Sequence, residues 1–258
     1  MEETTRHDPV IIARMLASAI PAFLRVPRGV VVKGHRLKPA RLLELYEAEY
    51  CPYSRHVREA LTELDLDARI FPIPRNGKRY RQRLIKAGGA PKIPFLHDLN
   101  AGVKLHDSEA IVAYLYKTYG IDGIPTPAAR LQTSILATAL RGTKGMFAQP
   151  SIAARKPLEL YSFEASPYSR LVREVFCELE IGYIVRNVGK TPGAFADYFP
   201  PILRHNKMKN YMPGTENRRA FLARAGKMMV PYIIDPNTGT SMWESGDIMD
   251  YLRNTYGK

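Results

Sequence analysis

Residues 43–64 read LELYEAEYCPYSRHVREALTEL, and residues 158–179 read LELYSFEASPYSRLVREVFCEL. The two stretches are identical at 14 of 22 positions, at a constant offset of 115 residues. A repeat with so long a period is a whole domain and not the short unit of a solenoid. The chain therefore carries two copies of one domain, which we call copy one and copy two. Directly before the shared Pro-Tyr-Ser-Arg motif, Cys51 in copy one is replaced by Ser166 in copy two.

The repeat continues downstream with two further anchors. Ile93-Pro94-Phe95 in copy one matches Val230-Pro231-Tyr232 in copy two, and Asp107-Ser108 matches Glu244-Ser245. These anchors are offset by 137 residues, so copy two carries about 22 additional residues before them. Each copy has the pattern strand, helix, strand, helix, two strands and helix. This order predicts a mixed sheet that is parallel at first and antiparallel at its end.

The length and cysteine content limit the class of protein. A chain of 258 residues has room for two domains of ordinary size. Its two cysteines, Cys51 and Cys177, are too few for a disulfide scaffold and are typical of a reducing compartment. No run approaches the roughly 18–20 apolar residues that span a bilayer, and Glu2 and Glu3 argue against a secretory signal. We therefore predict a cytoplasmic protein.

The formal net charge of +13 is unevenly distributed. Arg75–Lys86 holds six basic residues and no acidic one, and Arg186–Lys227 holds nine against two. Such clusters can bind nucleic acid or an anionic membrane. No zinc-ligand spacing, helix-turn-helix signature or RNA-binding aromatic motif accompanies them, so we predict neither a metal site nor nucleic-acid binding. Residues 13–25 and 129–141 have amphipathic helix periodicity, and such helices can pack on either copy or on a membrane surface.

The position of Cys51 between a strand and a helix predicts a reactive thiol. Unpaired backbone N–H groups and the helix dipole favour a thiolate at a helix N-terminus. Arg55 and Arg58 follow closely, and we expect their positive charge to act on the sulfur. Cys177 aligns with Thr62 inside the helix that follows Ser166, and it fits a packed helix residue better than a resolving thiol.

These residues carry a resemblance to a known family. Cys51-Pro52-Tyr53-Ser54, with Ile93-Pro94-Phe95 and Asp107-Ser108, resembles a glutaredoxin and, equally, the N-terminal thioredoxin-like domain of a glutathione transferase. The matching residues of copy two resemble the same domain in serine-type transferases. The resemblance implies two tandem thioredoxin-like domains, each a four-stranded mixed sheet flanked by helices. We predict an N-terminal helix and basic loop (1–40), domain one (41–125), a helical linker (126–157) and domain two (158–258).

The resemblance also implies the residues of a glutathione site in each copy. Glutathione would serve as a cosubstrate, with thiols or disulfides as the other partners. Pro94 and Pro231 would be cis, and the acid-Ser pairs would hold the γ-glutamyl end of the peptide. Arg79, Arg81 or Arg83 could hold the glycyl carboxylate. The implied catalytic residues are Cys51 and Ser166, and the implied glutathione-binding residues are Tyr53, Ile93, Pro94, Asp107, Ser108, Tyr168, Val230, Pro231, Glu244 and Ser245.

Two departures from the family pattern shape the expected function. About 35 residues separate the copies, which leaves little room for the all-helical domain that completes the substrate pocket of a conventional transferase. Ser54 occupies the position of the second Cys of a dithiol glutaredoxin, which leaves a monothiol route through a glutathione mixed disulfide. The primary hypothesis is a glutathione-dependent oxidoreductase or transferase-like protein that uses Cys51. The alternatives are a non-catalytic glutathione- or peptide-binding module and a basic membrane-surface protein.

Overall fold

A computed structural model describes residues 28–127, 143–198 and 211–258. The amphipathic helices predicted for residues 13–25 and 129–141 lie outside the described residues. Within the described ranges, each copy has four strands and three α-helices. In copy one these are β1 (Leu43–Glu47), α1 (Pro52–Glu63), β2 (Ala68–Pro72), α2 (Arg81–Gly88), β3 (Phe95–Asp98), β4 (Val103–Leu105) and α3 (Ser108–Tyr119).

Copy two repeats this order of elements. They are β5 (Leu158–Ser162), α4 (Pro167–Glu178), β6 (Tyr183–Asn187), α5 (Glu216–Ala225), β7 (Tyr232–Asp235), β8 (Thr240–Trp243) and α6 (Ser245–Tyr256). A short 3₁₀ helix, Phe195–Tyr198, lies in the longer connection between β6 and α5. Helices α1 and α4 both begin with proline, which is tolerated there because the first helical N–H has no partner within the helix.

The predicted mixed sheet is confirmed in both copies. In copy one, β1 pairs with β2 in parallel and with β3 in antiparallel orientation, and β4 completes the edge. In copy two, β5 to β8 pair in the same way. The two sheets are joined, because β2 pairs antiparallel with β6 through the register Ala68↔Val185 and Ile70↔Tyr183. The result is one eight-stranded sheet in the order β4-β3-β1-β2-β6-β5-β7-β8, in which each copy covers an open edge of the other.

The hydrophobic core follows from the alternation of side chains along the strands. On one face, Leu43 and Leu45 of β1 pack in a core that runs through both copies and includes residues of α1, α3, α4 and α6. On the opposite face, Tyr46 packs with residues around α2, and Tyr161 packs separately with residues around α5. The two copies therefore share one core on the face that carries the helices beginning next to Cys51 and Ser166.

Two extended segments also connect the copies, and we call them arm one (28–36) and arm two (143–152). Arm one lies along copy two through a hydrogen bond from the Val32 N–H to the Lys190 carbonyl, at 2.9 Å. Arm two lies along copy one through a hydrogen bond from the Ala148 N–H to the Arg75 carbonyl, also at 2.9 Å. The arms are thus exchanged between the copies in a near-symmetric way.

A glycine in each arm permits its close approach to the helices. Gly29 has φ +65°, and a Cβ atom there would lie 2.9 Å from the Cβ of Glu164. Gly145 has φ +69°, and its Cβ would lie 3.0 Å from the side chain of Glu174. Both features require glycine. Among the described residues, no helix is long and apolar enough to cross a membrane.

Candidate functional site

Cys51 stands at the start of α1, as the sequence predicts. It is the N-cap residue, Pro52 is the first helical residue, and the first turn contains no acidic side chain. The Cys51 side chain makes no capping hydrogen bond, so the sulfur does not occupy the N–H groups of its own helix. The residue is 7% exposed. The helix dipole therefore acts on a nearly buried sulfur without a compensating carboxylate in the first turn.

The segment around Pro94 lies beside this thiol. The Ile93–Pro94 peptide is cis, as is Val230–Pro231 in copy two, so both predictions are confirmed. Ile93 packs against the buried cluster that contains Cys51. Tyr53, the second residue of α1, is 46% exposed. The structure thus brings together Cys51 and the Ile93–Pro94 pair.

The acid-Ser pair of copy one is turned toward its own helix. Asp107 is the N-cap of α3, and its Oδ1 accepts a hydrogen bond from the Ala110 N–H at 2.8 Å. Ser108 is buried in the first turn. Asp107 therefore already satisfies one of the N–H groups that a bound carboxylate could use.

His106 is a site residue that the sequence reasoning did not single out. Its Nε2 lies 2.8 Å from the Gly88 carbonyl oxygen, and its Nδ1 lies 3.1 Å from the Lys92 carbonyl oxygen. The imidazole thereby ties the start of α3 to the loop that leads into Ile93. No sequence motif marks this role, because the aligned residue of copy two is Trp243.

Copy two places the equivalent residues differently. Ser166 is the N-cap of α4, and its Oγ accepts a hydrogen bond from the Ser169 N–H at 3.3 Å. Ser166 is also buried. In this copy the residue at the thiol position is engaged with its own helix, whereas in copy one the sulfur is not.

The acid of copy two is free of this capping role. Glu244 has φ +67°, its side chain makes no capping bond to α6, and it is exposed. Burial, and then the negative charge of Glu244, raise the pKa of Tyr168, which places the phenol near this carboxylate. Ser245 is buried at the first position of α6. The Nε1 of the preceding Trp243 is buried without a hydrogen-bond acceptor among the described residues.

The prediction that Arg55 and Arg58 act on Cys51 as free positive charges is wrong. Both are buried at the junction between the copies, in an ionic cluster that we call the junction network. The Nε of Arg58 lies 2.9 Å from Glu164 of copy two, and the Nε of Arg55 lies 3.2 Å from Glu59. We keep the name junction network for its nine central members: Arg55, Arg58, Arg170, Arg173, Glu47, Glu49, Glu59, Glu164 and Glu174. Arg28 extends the cluster beyond them, because it contacts Glu59 at 3.8 Å and also pairs with Glu63, which Lys33 contacts at 2.9 Å.

The junction network is nearly symmetric. Arg58 contacts Glu49 of its own copy at 3.2 Å as well as Glu164. Arg173 contacts the same two carboxylates, Glu49 at 3.0 Å and Glu164 at 3.1 Å. The asymmetric member is Glu47, which also contacts Arg58 and whose counterpart in copy two is Ser162.

The sharing of Arg58 among three carboxylates has a physical consequence. Burial opposes the ionisation of Glu49, but Arg173 and Arg58 hold its pKa at about 2. Burial raises the pKa of Glu47 to about 7, since its partner Arg58 is shared with two other carboxylates. The pKa of Glu47 therefore lies near neutral pH in the folded chain.

The three arginines considered for the glycyl carboxylate are engaged within the chain. Arg79 donates to the carbonyl oxygens of Leu179 and Glu180, at 2.8 and 2.7 Å, and so joins the copies. Arg83 donates to Glu44 and to the Tyr46 hydroxyl, each at 2.8 Å. Arg81 donates to the Gly77 carbonyl at 3.1 Å. For Arg79 in particular, the expected ligand role is wrong, because its guanidinium is a structural clamp between the copies.

Comparison with protein families agrees with this geometry. The model of the glutathione S-transferase N-terminal domain matches residues 45–126 and again residues 160–258. The chain belongs to this family and contains two copies of the family's domain. A search of curated proteins gave no match. In this tandem glutathione S-transferase N-terminal domain protein, both thioredoxin-like units keep the family's sheet and helices, whereas the groups at the helix starts differ between the copies.

Proposed function

We propose that the protein is a glutathione-dependent thiol–disulfide oxidoreductase or a transferase-like enzyme, with Cys51 as the thiolate nucleophile. The observation that carries the proposal is the position of Cys51 at the uncapped start of α1, beside the cis Ile93–Pro94 peptide. A thiolate at a helix N-terminus is stabilised by the dipole and by N–H groups. The family relationship supports glutathione as the cosubstrate.

The reaction requires one thiol. The Cys51 thiolate attacks the glutathione sulfur of a mixed disulfide, forms a bond to that sulfur and expels the substrate thiolate, which takes a proton from water. The thiolate of a second glutathione then attacks the mixed disulfide on Cys51, releasing glutathione disulfide and the Cys51 thiolate. Over the two steps, one free glutathione is consumed: it leaves as glutathione disulfide with the glutathionyl group of the mixed disulfide, and the substrate is released as a thiol. Ser54 at the usual second-Cys position fits this route.

The other residues of copy one would bind and orient the peptide. Backbone groups of Ile93, held before the cis peptide, would pair with the cysteinyl part of glutathione. Ser108 and the first turn of α3 would take the γ-glutamyl carboxylate. Tyr53 is exposed enough to contact the peptide. Reduced thiols of this kind suit a cytoplasmic location.

A second candidate function, binding without turnover, is favoured by copy two. Ser166 is engaged in capping α4, and its hydroxyl has no sulfur with which to form a mixed disulfide. Glu244 is exposed, does not cap α6 and lies near Tyr168, so this carboxylate can pair with the α-amino group of a bound γ-glutamyl end. We propose that copy two binds glutathione without exchanging it. Calorimetric titration should then give one glutathione per copy in the wild type, and only one per chain in Glu244→Ala.

The decisive test of the enzymatic proposal is turnover of a glutathionylated peptide. We expect Cys51→Ser to abolish release of the peptide thiol while the far-UV circular dichroism stays unchanged. Lys104→Ala, which changes an exposed side chain on the outer strand β4, is the control and should exchange at the wild-type rate. Full exchange by Cys51→Ser would overturn the proposal.

A further inference from the structure

The two cysteines of the chain come from different copies and meet in one place. Cys51 and Cys177 share a small buried cluster whose third fully buried member is Ala48, with Tyr50 and Ile93 packed against it. Both thiols are free. Cys177 lies on α4 of copy two, near its C-terminal end, yet its buried neighbours in this cluster belong to copy one. The thiol that the proposed reaction does not use therefore lies beside the turn that carries the nucleophile.

The Ala48–Cys51 turn contributes two of its residues, Ala48 and Cys51, to the buried cluster that contains Cys177. The Cys51 N–H donates to the Ala48 carbonyl at 2.9 Å, which closes the turn. The backbone of Glu49, in the same turn, opposes part of the rise that burial causes in the pKa of the Cys177 thiol. Burial raises the pKa of the Tyr50 hydroxyl, and a hydrogen bond with Arg75 lowers it by less. The charges of Cys51 and Cys177 both add to the rise. Both sulfurs thus act on the one residue that lies between Glu49 and Cys51.

The near-symmetric counterpart of this contact shows what has changed between the copies. Thr62 aligns with Cys177, and its Oγ1 accepts a hydrogen bond from the Glu164 N–H at 3.2 Å, in the turn that carries Ser166. Each turn is thus supported by the same helix position of the opposite copy. Cys51 faces a thiol there, and Ser166 faces a hydroxyl. Threonine fills the equivalent position in copy one, so packing at this place in the fold does not require a sulfur atom.

We propose that Cys177 is the resolving thiol of Cys51, acting across the junction between the two copies; this inference rests on the proposed use of Cys51 with glutathione. Ser54 removes the usual partner within the motif, and the fold supplies another from copy two. The product is a disulfide between Cys51 and Cys177 that links α1 of one copy to α4 of the other.

The step balances with glutathione disulfide as the oxidant. Reduced Cys51 first exchanges with glutathione disulfide, which gives a glutathionylated Cys51 and one glutathione. The Cys177 sulfur then attacks the Cys51 sulfur, the bond to glutathione breaks, and the proton of Cys177 ends on the departing glutathione. Cys51 and Cys177 together lose two electrons, which reduce one glutathione disulfide to two glutathiones. A later pair of glutathiones reverses both exchanges.

The surroundings of Cys177 suit a thiol that reacts only in second place. Burial raises the pKa of Cys177 well above its ordinary value, and free thiols in apolar surroundings are unreactive toward oxidants in solution. An attack on Cys51 does not require solvent access, because the two residues already share one buried cluster. Cys51 would therefore take the oxidant first, and Cys177 would displace glutathione from it.

The test is the fate of glutathione on the full chain. The reduced wild type is treated with glutathione disulfide, quenched with acid and examined by intact mass and non-reducing peptide mapping. We expect a species that has lost two hydrogens, carries no glutathione and yields one linked peptide pair containing Cys51 and Cys177. Cys177→Thr, which introduces the residue found at position 62, is the matched variant and should retain one glutathione on Cys51.

The possible results separate the two proposals. A wild type that retains one glutathione on Cys51, as Cys177→Thr does, overturns the resolving role and leaves the proposed function intact. A wild type and variant that both remain unmodified overturn the use of Cys51 with glutathione and, with it, this inference. Should Cys177→Thr not fold, Cys177→Ala serves as the variant, and the wild-type measurement alone still decides whether the disulfide forms.

Discussion

The two copies have the same order of strands and helices, but they differ in which helix is capped by its own side chain. In copy one, the Cys51 sulfur does not cap α1, whereas Asp107 caps α3 through the Ala110 N–H at 2.8 Å. In copy two, Ser166 caps α4, whereas Glu244 makes no capping bond to α6. A residue that satisfies its own helix is less available to a ligand. Copy one thus presents a thiol that does not cap its helix, and copy two presents a carboxylate that does not cap its helix.

Because the fold is the same in both copies, local capping decides which polar groups remain available at the helix starts of each copy. The same exchange of a thiol for a hydroxyl occurs at a second pair of aligned positions. Cys177 packs against the turn that carries Cys51, and Thr62 accepts a hydrogen bond from the turn that carries Ser166. The junction network is the part that the copies share, and Arg58 and Arg173 contact the same two carboxylates. Changes at the helix starts should therefore alter function, and changes at the junction should alter stability.

Exchanging the nucleophile between the copies is the strongest test of this division. Cys51→Ser should lose exchange completely, and adding Ser166→Cys to it should restore measurable turnover of a glutathionylated peptide. The reason is that α4 also begins with proline, lacks acid in its first turn and lies in the copy with the cis Val230–Pro231 peptide. Because Thr62 faces this turn, the new thiol should keep its glutathione adduct, which intact mass will reveal. No activity in the double variant would mean that copy two has lost more than the thiol.

Breaking the shared junction should have the largest effect on stability. Arg58→Met leaves Glu49, Glu164 and Glu47 without one common partner. Removing one member of a buried ion pair costs about 3–5 kcal/mol, since the remaining charge stays buried and uncompensated. We expect the upper end for Arg58→Met and the lower end for Arg173→Met, measured by urea unfolding near neutral pH. Arg253→Met is the control, because its exposed pair with Asp250 should be worth less than about 1 kcal/mol. Equal losses in all three would contradict the junction as a stabilising unit.

Much of the fold and part of the site could be predicted from the repeat. The strands, helices and both cis prolines follow from motifs that lie within one copy. The pairing of β2 with β6 could not be predicted in this way, because it depends on which sheet edges meet, and no local motif specifies that. Arg58 illustrates the difficulty. From the sequence alone it is expected to face solvent, because arginine is seldom buried without a partner and no acidic partner for it is evident in the local motif. Its real partner, Glu164, is 106 residues away.

The pH dependence of the unfolding free energy tests the role of Glu47, the asymmetric member of the junction network. Its pKa is raised from 4.5 to about 7 in the folded chain, first by burial, so the folded state binds this proton more tightly than the unfolded state. The resulting stabilisation is complete below pH 4.5 and is lost as the pH rises through 7. A difference of this size corresponds to on the order of 3 kcal/mol. Glu47→Gln keeps a neutral side chain and should reduce the decline in unfolding free energy between about pH 5 and about pH 8. Part of the decline should remain, because burial also raises the pKa of Asp65 to about 7.

Glu49→Gln is the matched control for this measurement. Against the opposing effect of burial, Arg173 and Arg58 hold the pKa of Glu49 at about 2, so its contribution is present above pH 4.5 and is lost as the pH falls toward 2. Glu49→Gln should therefore lower stability at neutral pH. It should reduce the decline above pH 5 only in part, because the Glu49 charge is a smaller cause of the raised pKa of Glu47 than burial is. An unchanged decline in Glu47→Gln would show that another group causes it.

The smallest expected effect distinguishes the two acids at the starts of the last helices. Asp107→Ala removes a capping bond and should cost about 1 kcal/mol in urea unfolding. Glu244→Ala removes no capping bond and leaves the φ of +67° as strained as before, so its unfolding free energy should change by less than about 0.5 kcal/mol. The two variants should differ in the opposite sense in glutathione titrations of the Cys51→Ser chain, where only Glu244→Ala should remove binding to copy two. A cost for Glu244→Ala equal to that for Asp107→Ala would assign the Glu244 carboxylate to holding α6 in place, and the division of roles between the copies would then rest on Cys51 and Ser166 alone.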